Sequence, residues 1–401
     1  MTQMIVLSTV ALLHFVSWHL ISPFIALVAK GQGASPETVG LIMAAYAVLP
    51  MIAAIPTGFI CDRVGTRKIF IVSSIGIVLS AVALLLSRAV LYLALVLSAL
   101  GLFHVLQSVA TQVAIADTGD EISVYKNYVI YGFCCCVGQL VGPPVGGLVA
   151  KNFGYDVLFM TSAALTVFMI PLAFCVCETK PQIVVLERRT SIRESVQSLL
   201  QKPSFMISLL VIFSVILLYS MRTTFYSLYF DEINLDTPLI GMLLTVQGAA
   251  EAAIRPFVIR WRNRYGTAPV LFLAIGACAI SSLITPLFRS LGVLAIVLGL
   301  GGAGYGIAQP ISMALASQAA DHEERGLAMG VRMFANRLSG AAGPLLLGKI
   351  GNIFGIKATF TAVAIAITAC LLMVFILARA DNHLWLSGPK QARSKGSADT
   401  L

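Results

Sequence analysis

A chain of 401 residues with 58% hydrophobic and 11% charged positions carries more apolar sequence than a soluble core can bury and too little charge to cover a soluble surface. Its mean hydropathy of +0.91 excludes a water-soluble enzyme or binding module and points to an all-α, polytopic membrane protein. The net charge of +9 is scattered through short connections, which reads as a topology signal and not as a nucleic-acid surface.

About 20 apolar residues cross a bilayer. Twelve such spans are predicted, near 4–29, 36–59, 68–87, 89–114, 127–149, 156–177, 205–230, 237–258, 268–288, 291–317, 326–348 and 356–379. The first is too long for the apolar core of a cleaved leader and no A-x-A-like site follows it, so it is taken as a span. Connections are short except at 178–204, where Lys180, Pro181, Arg188, Arg189, Arg193 and Lys202 flank an amphipathic piece at 191–201. The expected organisation is a six-helix bundle over 1–179, a cytoplasmic linker over 180–204, a second six-helix bundle over 205–380 and a polar, disordered tail over 381–401. With both termini and the even-numbered connections on the cytoplasmic side, that side holds seventeen Lys and Arg. The other side holds six: Lys30, Arg88, Lys151, Arg289, Lys349 and Lys357. This is the bias of a protein with both ends in the cytoplasm.

The halves repeat at one offset. Gly142-Pro143 recurs as Gly343-Pro344, 201 residues on, and the same step carries Gly40 to Gly241, Gly65-Thr66 to Gly266-Thr267, Gly147 to Gly348 and Phe153-Gly154 to Phe354-Gly355. Tandem six-helix repeats around a midplane site are the architecture of a rocking transporter.

Two strings stand out. After the second span comes Gly58-Phe59-Ile60-Cys61-Asp62-Arg63-Val64-Gly65-Thr66-Arg67-Lys68, in which Gly58 permits close packing, Gly65 a tight turn, and Asp62 can accept hydrogen bonds. The fifth span holds Gly138-x-x-x-Gly142-Pro143-Pro144-x-Gly146-Gly147. Glycine at spacings of four clears one helix face for backbone contact with a neighbour, and the two prolines are expected to kink the helix. The first string resembles the loop 2–3 motif of the major facilitator superfamily, with Thr66 shifting the usual pattern slightly. The second resembles the fifth-helix antiporter motif of that superfamily's twelve-helix drug–proton antiporters, matched at Gly138, Gly142, Pro143, Gly146 and Gly147. With the spans and the repeat, the resemblance covers nearly the whole chain. It implies two pseudo-symmetric six-helix bundles (the major facilitator fold), a monomer, and export in preference to uptake. It also implies a cytoplasmic gate latched by the first string, for which Arg332 in span 11 is the expected partner of Asp62. One feature of such exporters is missing: the span 4 region from Ser98 to Gln107 has no arginine, and His104 is its only ionisable group.

Charges inside spans are costly and therefore informative. Glu251 is the one carboxylate well within a span, and Arg255 follows at the i,i+4 spacing that lets them pair. A carboxylate whose arginine contact is made and broken would bind and release a proton in step with a transport cycle; a fixed ion pair bracing span 8 is the alternative. A histidine titrates near neutral pH, so His14 or His104 could carry the proton instead, against the alternative of two satisfied packing residues. The substrate is expected between the halves. Tyr219, Arg222, Tyr226, Glu251, Tyr305, Gln309, Asn336 and Arg337 would face it from one side, and His14, Trp18, His104 and Gln107 from the other. Excess arginine favours anionic or zwitterionic molecules, so a multidrug exporter and a dedicated exporter of an anionic metabolite such as a metallophore both stand. A proton-coupled uptake symporter shares the fold, and a non-transporting sensor is the reading from another class.

The eight cysteines fall in apolar segments or at their ends, with no CxxC pair and no metal-ligand spacing, and read as packing residues. Gly301-Gly302-x-Gly304-Tyr305-Gly306 looks like a nucleotide loop but lacks the preceding strand and the lysine–serine pair; a cavity-lining helix fits it better. No cofactor, metal, nucleic-acid partner or enzymatic constellation is expected. The partners are a small molecule, protons and the bilayer, and the location is a bacterial-type cytoplasmic membrane.

Overall fold

The computed structural model describes residues 2–86, 89–116, 121–177, 192–320 and 325–380. The linker stretch 178–191, the tail 381–401 and the side chains of Gly58, Asp62 and Arg63 lie outside the described residues, and with them the expected disorder and the Asp62 latch.

The described elements are all helical. In chain order they are α1 (Thr2–Gly31), α2 (Pro36–Val64), α3 (Thr66–Ala83), α4 (Val90–Ala116), α5 (Glu121–Val167), α6 (Met169–Phe174), α7 (Ile192–Gln201) and α8 (Pro203–Ser220). A π-helical turn (Met221–Phe225) leads into α9 (Tyr226–Glu232), followed by α10 (Thr237–Tyr265), α11 (Thr267–Ile284), α12 (Leu291–Ala319), α13 (Arg325–Phe354) and α14 (Ile356–Ala380). Ten of the described helical segments are long and apolar enough to cross a membrane. Two elements account for the difference from the expected twelve. The segment Ile130–Phe174 is 45 residues long, enough for about two crossings, and leaves helical geometry at Gly154. The other, α13, is charged at Arg325, Arg332, Arg337 and Lys349 and is not among the ten. Helix α5 runs on through Pro143 and Pro144, so its dihedral break falls at Gly154 (φ 84°, ψ 172°) and not at the prolines.

The 201-residue repeat is written into the backbone. Helix α2 begins and ends 201 residues before α10, α3 does so before α11, and the 3-10 turn Leu84–Leu86 recurs as Thr285–Leu287. Every described residue with positive φ has its mate at the same step: Gly33 (85°) with Asn234 (60°), Gly65 (92°) with Gly266 (91°), Gly154 (84°) with Gly355 (84°). These are turns that a β-carbon would strain, which is why glycine, or asparagine once, stands at each.

By their contacts the residues form two compact units. Unit 1 comprises Met1–Glu187, Ser220–Thr245 and Gly340–Thr359; unit 2 comprises Arg188–Tyr219, Val246–Ser339 and Phe360–Leu401. In unit 1, α1 lies along α5, α2 along α4, and α3 against both α4 and α5, around fully buried Phe24, Phe70, Phe159, Tyr226 and Tyr229. In unit 2, α11 packs on α12. The amphipathic piece of the linker forms α7, whose Leu199 is buried with Phe205, Ala316, Ala320 and Ala328. Just after α7, Lys202 Nζ donates to the Ala319 carbonyl (2.9 Å) at the end of α12, where a cation meets the helix dipole favourably. Large apolar side chains such as Ile296 (75% exposed) and Leu91 (73%) face outward, as lipid-facing positions require. Hydroxyls buried where water is absent donate to the carbonyl four residues back, as Ser73, Ser80, Thr111 and Thr285 do.

Candidate functional site

The glycine string of α5 serves two neighbours. Gly138, Gly142 and Gly146, one row at i, i+4, i+8, lie against α1: an added β-carbon would stand 2.6 Å from the Phe15 carbonyl carbon at Gly138, 2.6 Å from that of His19 at Gly142, and would strike the Leu20 carbonyl at Gly146. Gly147 instead meets Thr237 and Pro238 at the start of α10, and the Pro143 carbonyl sits against Gly241. The repeat mirrors this second seam: Gly40 on α2 lies against the Pro344 carbonyl, and Gly348 against that of Pro36 (2.8 Å from an added β-carbon). Each contact maps onto its counterpart by the 201-residue step. All four glycines are places where backbones touch, so no side chain fits without separating the helices. The same end of unit 1 carries the ion pairs Lys30–Asp231 (2.7 Å) and Lys151–Asp236 (2.5 Å), and an Asn352–Glu37 hydrogen bond (3.2 Å).

Deeper in unit 1 the structure brings His14, Trp18 and His104 together as the sequence suggests, and adds Tyr46. Trp18 and Tyr46 stack with centroids 4.1 Å apart and planes 6° from parallel. The His104 ring stands edge-on to Trp18 (5.2 Å) and to His14 (4.5 Å), and its Nδ1 is 2.9 Å from the Tyr46 hydroxyl. His14 Nδ1 is buried and has no hydrogen-bond partner among the described residues. Gln107 turns elsewhere: its amide oxygen accepts from Ser73 and, at 3.5 Å, from Ser74, tying α4 to α3. Arg222 lies on the π turn, which packs on α1 and α2, and donates to Gln139 Oε1 on α5 (2.8 Å). A π turn inside a long helix is a common mark of a functional site. Tyr226, one step past that turn, is fully buried and stacks on Phe230 (5.8 Å), a core position.

Tyr46, Gln139 and the π turn are absent from the sequence reading. Tyr46 is the only tyrosine of its span and Gln139 lies inside the glycine string, so a search for lone polar groups within apolar spans finds both; nothing in Met221–Phe225 announces a π turn.

In unit 2 Glu251 and Arg255 are joined as expected. Arg255 Nη2 donates to Glu251 Oε1 (2.5 Å) and to Gln309 Oε1 on α12 (3.1 Å), with the glutamate side chain 5% and the arginine 33% exposed. Glycines make this approach possible: β-carbons at Gly302 and Gly306 would run into the Gln247 and Glu251 backbone. Tyr219 and Tyr305 lie 6.3 Å apart, centroid to centroid. Arg332 donates through Nε to Ser312 Oγ (3.0 Å) and through Nη2 to the Gln309 carbonyl (3.5 Å), and Ser312 donates to the Ser208 carbonyl (3.0 Å), so Arg332 ties α13 through α12 to α8. Asn336 and Arg337 are half-buried on α13. Of the first string, Gly65 supplies the expected turn and Arg67 opens α3, half-buried. Among the described residues no three His, Cys, Asp or Glu side chains gather as a metal site.

Comparison with known proteins places this geometry. The family model for the Major Facilitator Superfamily matches residues 7–237 and again 209–399. The chain is 27% identical over 321 residues to the class B tetracycline resistance protein of Escherichia coli, covering 78% of this chain and 79% of that one. It is 24% identical over 369 residues to the multidrug resistance protein MdtG of Escherichia coli, covering 87% of each. The match to the MFS-type transporter SLC18B1 of Rattus norvegicus is 26% over 169 residues and spans 40% of this chain and 36% of the relative. Among solved structures, a bacterial homologue of the lysosomal transporter Spinster superposes with a TM-score of 0.78 at 14% identity over 94% of this chain and 96% of the other. A D-xylose–proton symporter does so with 0.74 at 16% identity over 96% and 97%. These likenesses are to transporters and not to enzymes, and the structural ones speak for the fold.

Proposed function

The chain belongs to the major facilitator superfamily, and from that premise we propose that it exports small organic molecules in exchange for protons, by alternating access. The observation that carries the proposal is the Glu251–Arg255 pair. Glu251 is the one buried carboxylate among the described residues, its partner reaches it from one helical turn away, and that partner also bonds Gln309 on a second helix. A carboxylate held this way can exchange its arginine for a proton when α10 and α12 shift past one another, and the glycines at 302 and 306 provide the smooth contact for such a shift.

Export is supported by the Gly138–Gly147 string and by relatives named for tetracycline and multidrug resistance. The lysine and arginine bias supports cytoplasmic termini in a bacterial-type inner membrane, which makes the end with Lys30, Lys151, Asp231 and Asp236 the outer end. There the mirrored glycine seams are a closed outer gate that opens once per cycle. The rocking bodies in this reading are the halves 1–179 and 205–380, working as a monomer, with the Asp62–Arg332 latch at the opposite end. Substrates are multidrug-type compounds or an anionic metabolite.

The test uses membrane vesicles of both orientations and a substrate identified as the metabolite retained by cells lacking the protein. In everted vesicles acidified inside, an antiporter accumulates that substrate, and adding substrate releases protons. Accumulation only in right-side-out vesicles energised with outside acid identifies an uptake symporter and overturns export. Absence of exchange in either orientation points to a sensor.

A further inference from the structure

We propose that one face of α10, at its C-terminal end, is a docking site for an anionic phospholipid of the bilayer. The face is a single helical stripe: Phe257, Arg260, Trp261, Arg264 and Tyr265 follow at i, i+3, i+4, i+7 and i+8. It is open, with Phe257 48% and Tyr265 54% exposed, Arg260 and Arg264 exposed and Trp261 half-buried. Its rings and cations are already ordered against one another. The Phe257 and Trp261 rings lie 6.4 Å apart, centroid to centroid, and the Arg264 guanidinium stands 5.3 Å from the centre of the Tyr265 ring. Tryptophan and tyrosine settle at the level where acyl chains meet headgroups, and guanidinium forks match phosphate oxygens. The stripe thus offers one lipid rings for the head of its chains and cations for its phosphate.

The charge of the occupant follows from the charges at this end of α10. Arg262, half-buried, adds a third cation in the last turns, and from Ala252 to Ala320 the chain has no Asp or Glu. Among the described residues the ion pairs are Lys30–Asp231, Lys151–Asp236 and Glu251–Arg255, so no described carboxylate is paired with Arg260, Arg262 or Arg264. The repeat shows that a membrane helix of this protein can end otherwise. At the 201-residue step, Phe59-Ile60-Cys61-Asp62-Arg63 becomes Arg260-Trp261-Arg262-Asn263-Arg264. The second half has replaced a phenylalanine and a cysteine with arginines, an isoleucine with tryptophan and the carboxylate with an amide. A zwitterionic lipid brings an ammonium for which the stripe has no carboxylate of its own, whereas an anionic lipid brings phosphate without it. The lysine and arginine bias sets this end in the cytoplasmic leaflet; that placement rests on the topology proposed above, and the site itself does not.

The experiment uses the full-length protein with Trp385→Phe, reconstituted in mixed phosphatidylcholine–phosphatidylglycerol bilayers in which one lipid or the other carries brominated chains that quench tryptophan on contact. The signal of Trp261 is the part lost in Trp261→Phe; Trp18, 7% exposed, supplies the background. Quenching is expected to show phosphatidylglycerol preferred over phosphatidylcholine beside Trp261 by at least about fivefold. Arg260→Gln with Arg264→Gln is expected to bring that ratio close to one while phosphatidylcholine still quenches, which shows that the variant is inserted with Trp261 in the bilayer. Arg289→Gln, an exposed cation in another connection, is expected to leave the ratio unchanged. A ratio near one with every arginine in place, or a preference that survives the double substitution, overturns the site. So does an equal loss in Arg289→Gln, which would make the preference one of overall charge and not of this face.

Discussion

Unit 1 sets rings against rings and holds its buried arginine with an amide, whereas unit 2 holds its buried carboxylate with an arginine. The first arrangement includes a histidine nitrogen that meets no partner among the described residues; the second is an ion pair that changes character when its members part. Their supports differ as well. The rings of unit 1 come from three separate helices, one of which, α1, lies flush on the glycine row of α5. The ion pair of unit 2 lies within a single helix at i,i+4 and reaches one residue of a second. The difference is one of construction: the ring cluster needs several helices to converge, whereas the ion pair depends on one local contact.

The sharpest way to break this comparison is at the seam. Gly241→Leu drives a side chain into the Pro143 backbone, and transport per molecule of inserted protein is expected to vanish. Gly276→Ala, with nothing within 4 Å of the new atom, should leave transport intact. Next in size is Arg255→Ala, which removes one charged donor from both Glu251 and Gln309. Breaking a buried pair costs about 3–5 kcal/mol, and the one-third exposure of Arg255 puts this case at or below the lower figure, read as a fall in thermal stability in detergent.

Much of this was legible beforehand for a physical reason. Glycines that mark backbone contact or positive φ leave no substitute, so the 201-residue repeat survives in sequence where the rest has diverged, and Gly154, Gly241 and Gly348 could be placed from it. Glu251 and Arg255 were legible because charge inside a span is rare and their spacing is local. Tyr46 and Gln139 were not, because their roles depend on which face of α2 and α5 meets α1, a fact of packing that periodicity in a uniformly apolar helix does not reveal. The contacts of Gln107 were hidden for the same reason: Ser73 and Ser74 are 34 and 33 residues away and nothing local predicts them. Likewise, Arg332 is engaged by Ser312 and the Gln309 carbonyl, partners that only the approach of α13 to α12 could disclose.

Smaller changes sharpen the comparison. Tyr46→Phe keeps the stack on Trp18 and removes the hydroxyl that meets His104, so stability is expected to fall by about 0.5–1.5 kcal/mol, checked by thermal unfolding in detergent. Smallest of all, Asp231→Asn and Asp236→Asn release ion pairs that are 41–44% and 50–60% exposed. Each is worth about 0.2–1 kcal/mol, seen as a small fall in thermal stability in detergent that fades at high salt.

The central claim concerns Glu251, and proton flux in proteoliposomes containing Glu251→Gln tests it most directly. The account predicts that substrate counterflow continues while a pH gradient no longer drives accumulation and substrate no longer moves protons. Proton-driven accumulation at the wild-type level would contradict it and reduce the Glu251–Arg255 pair to a brace within α10.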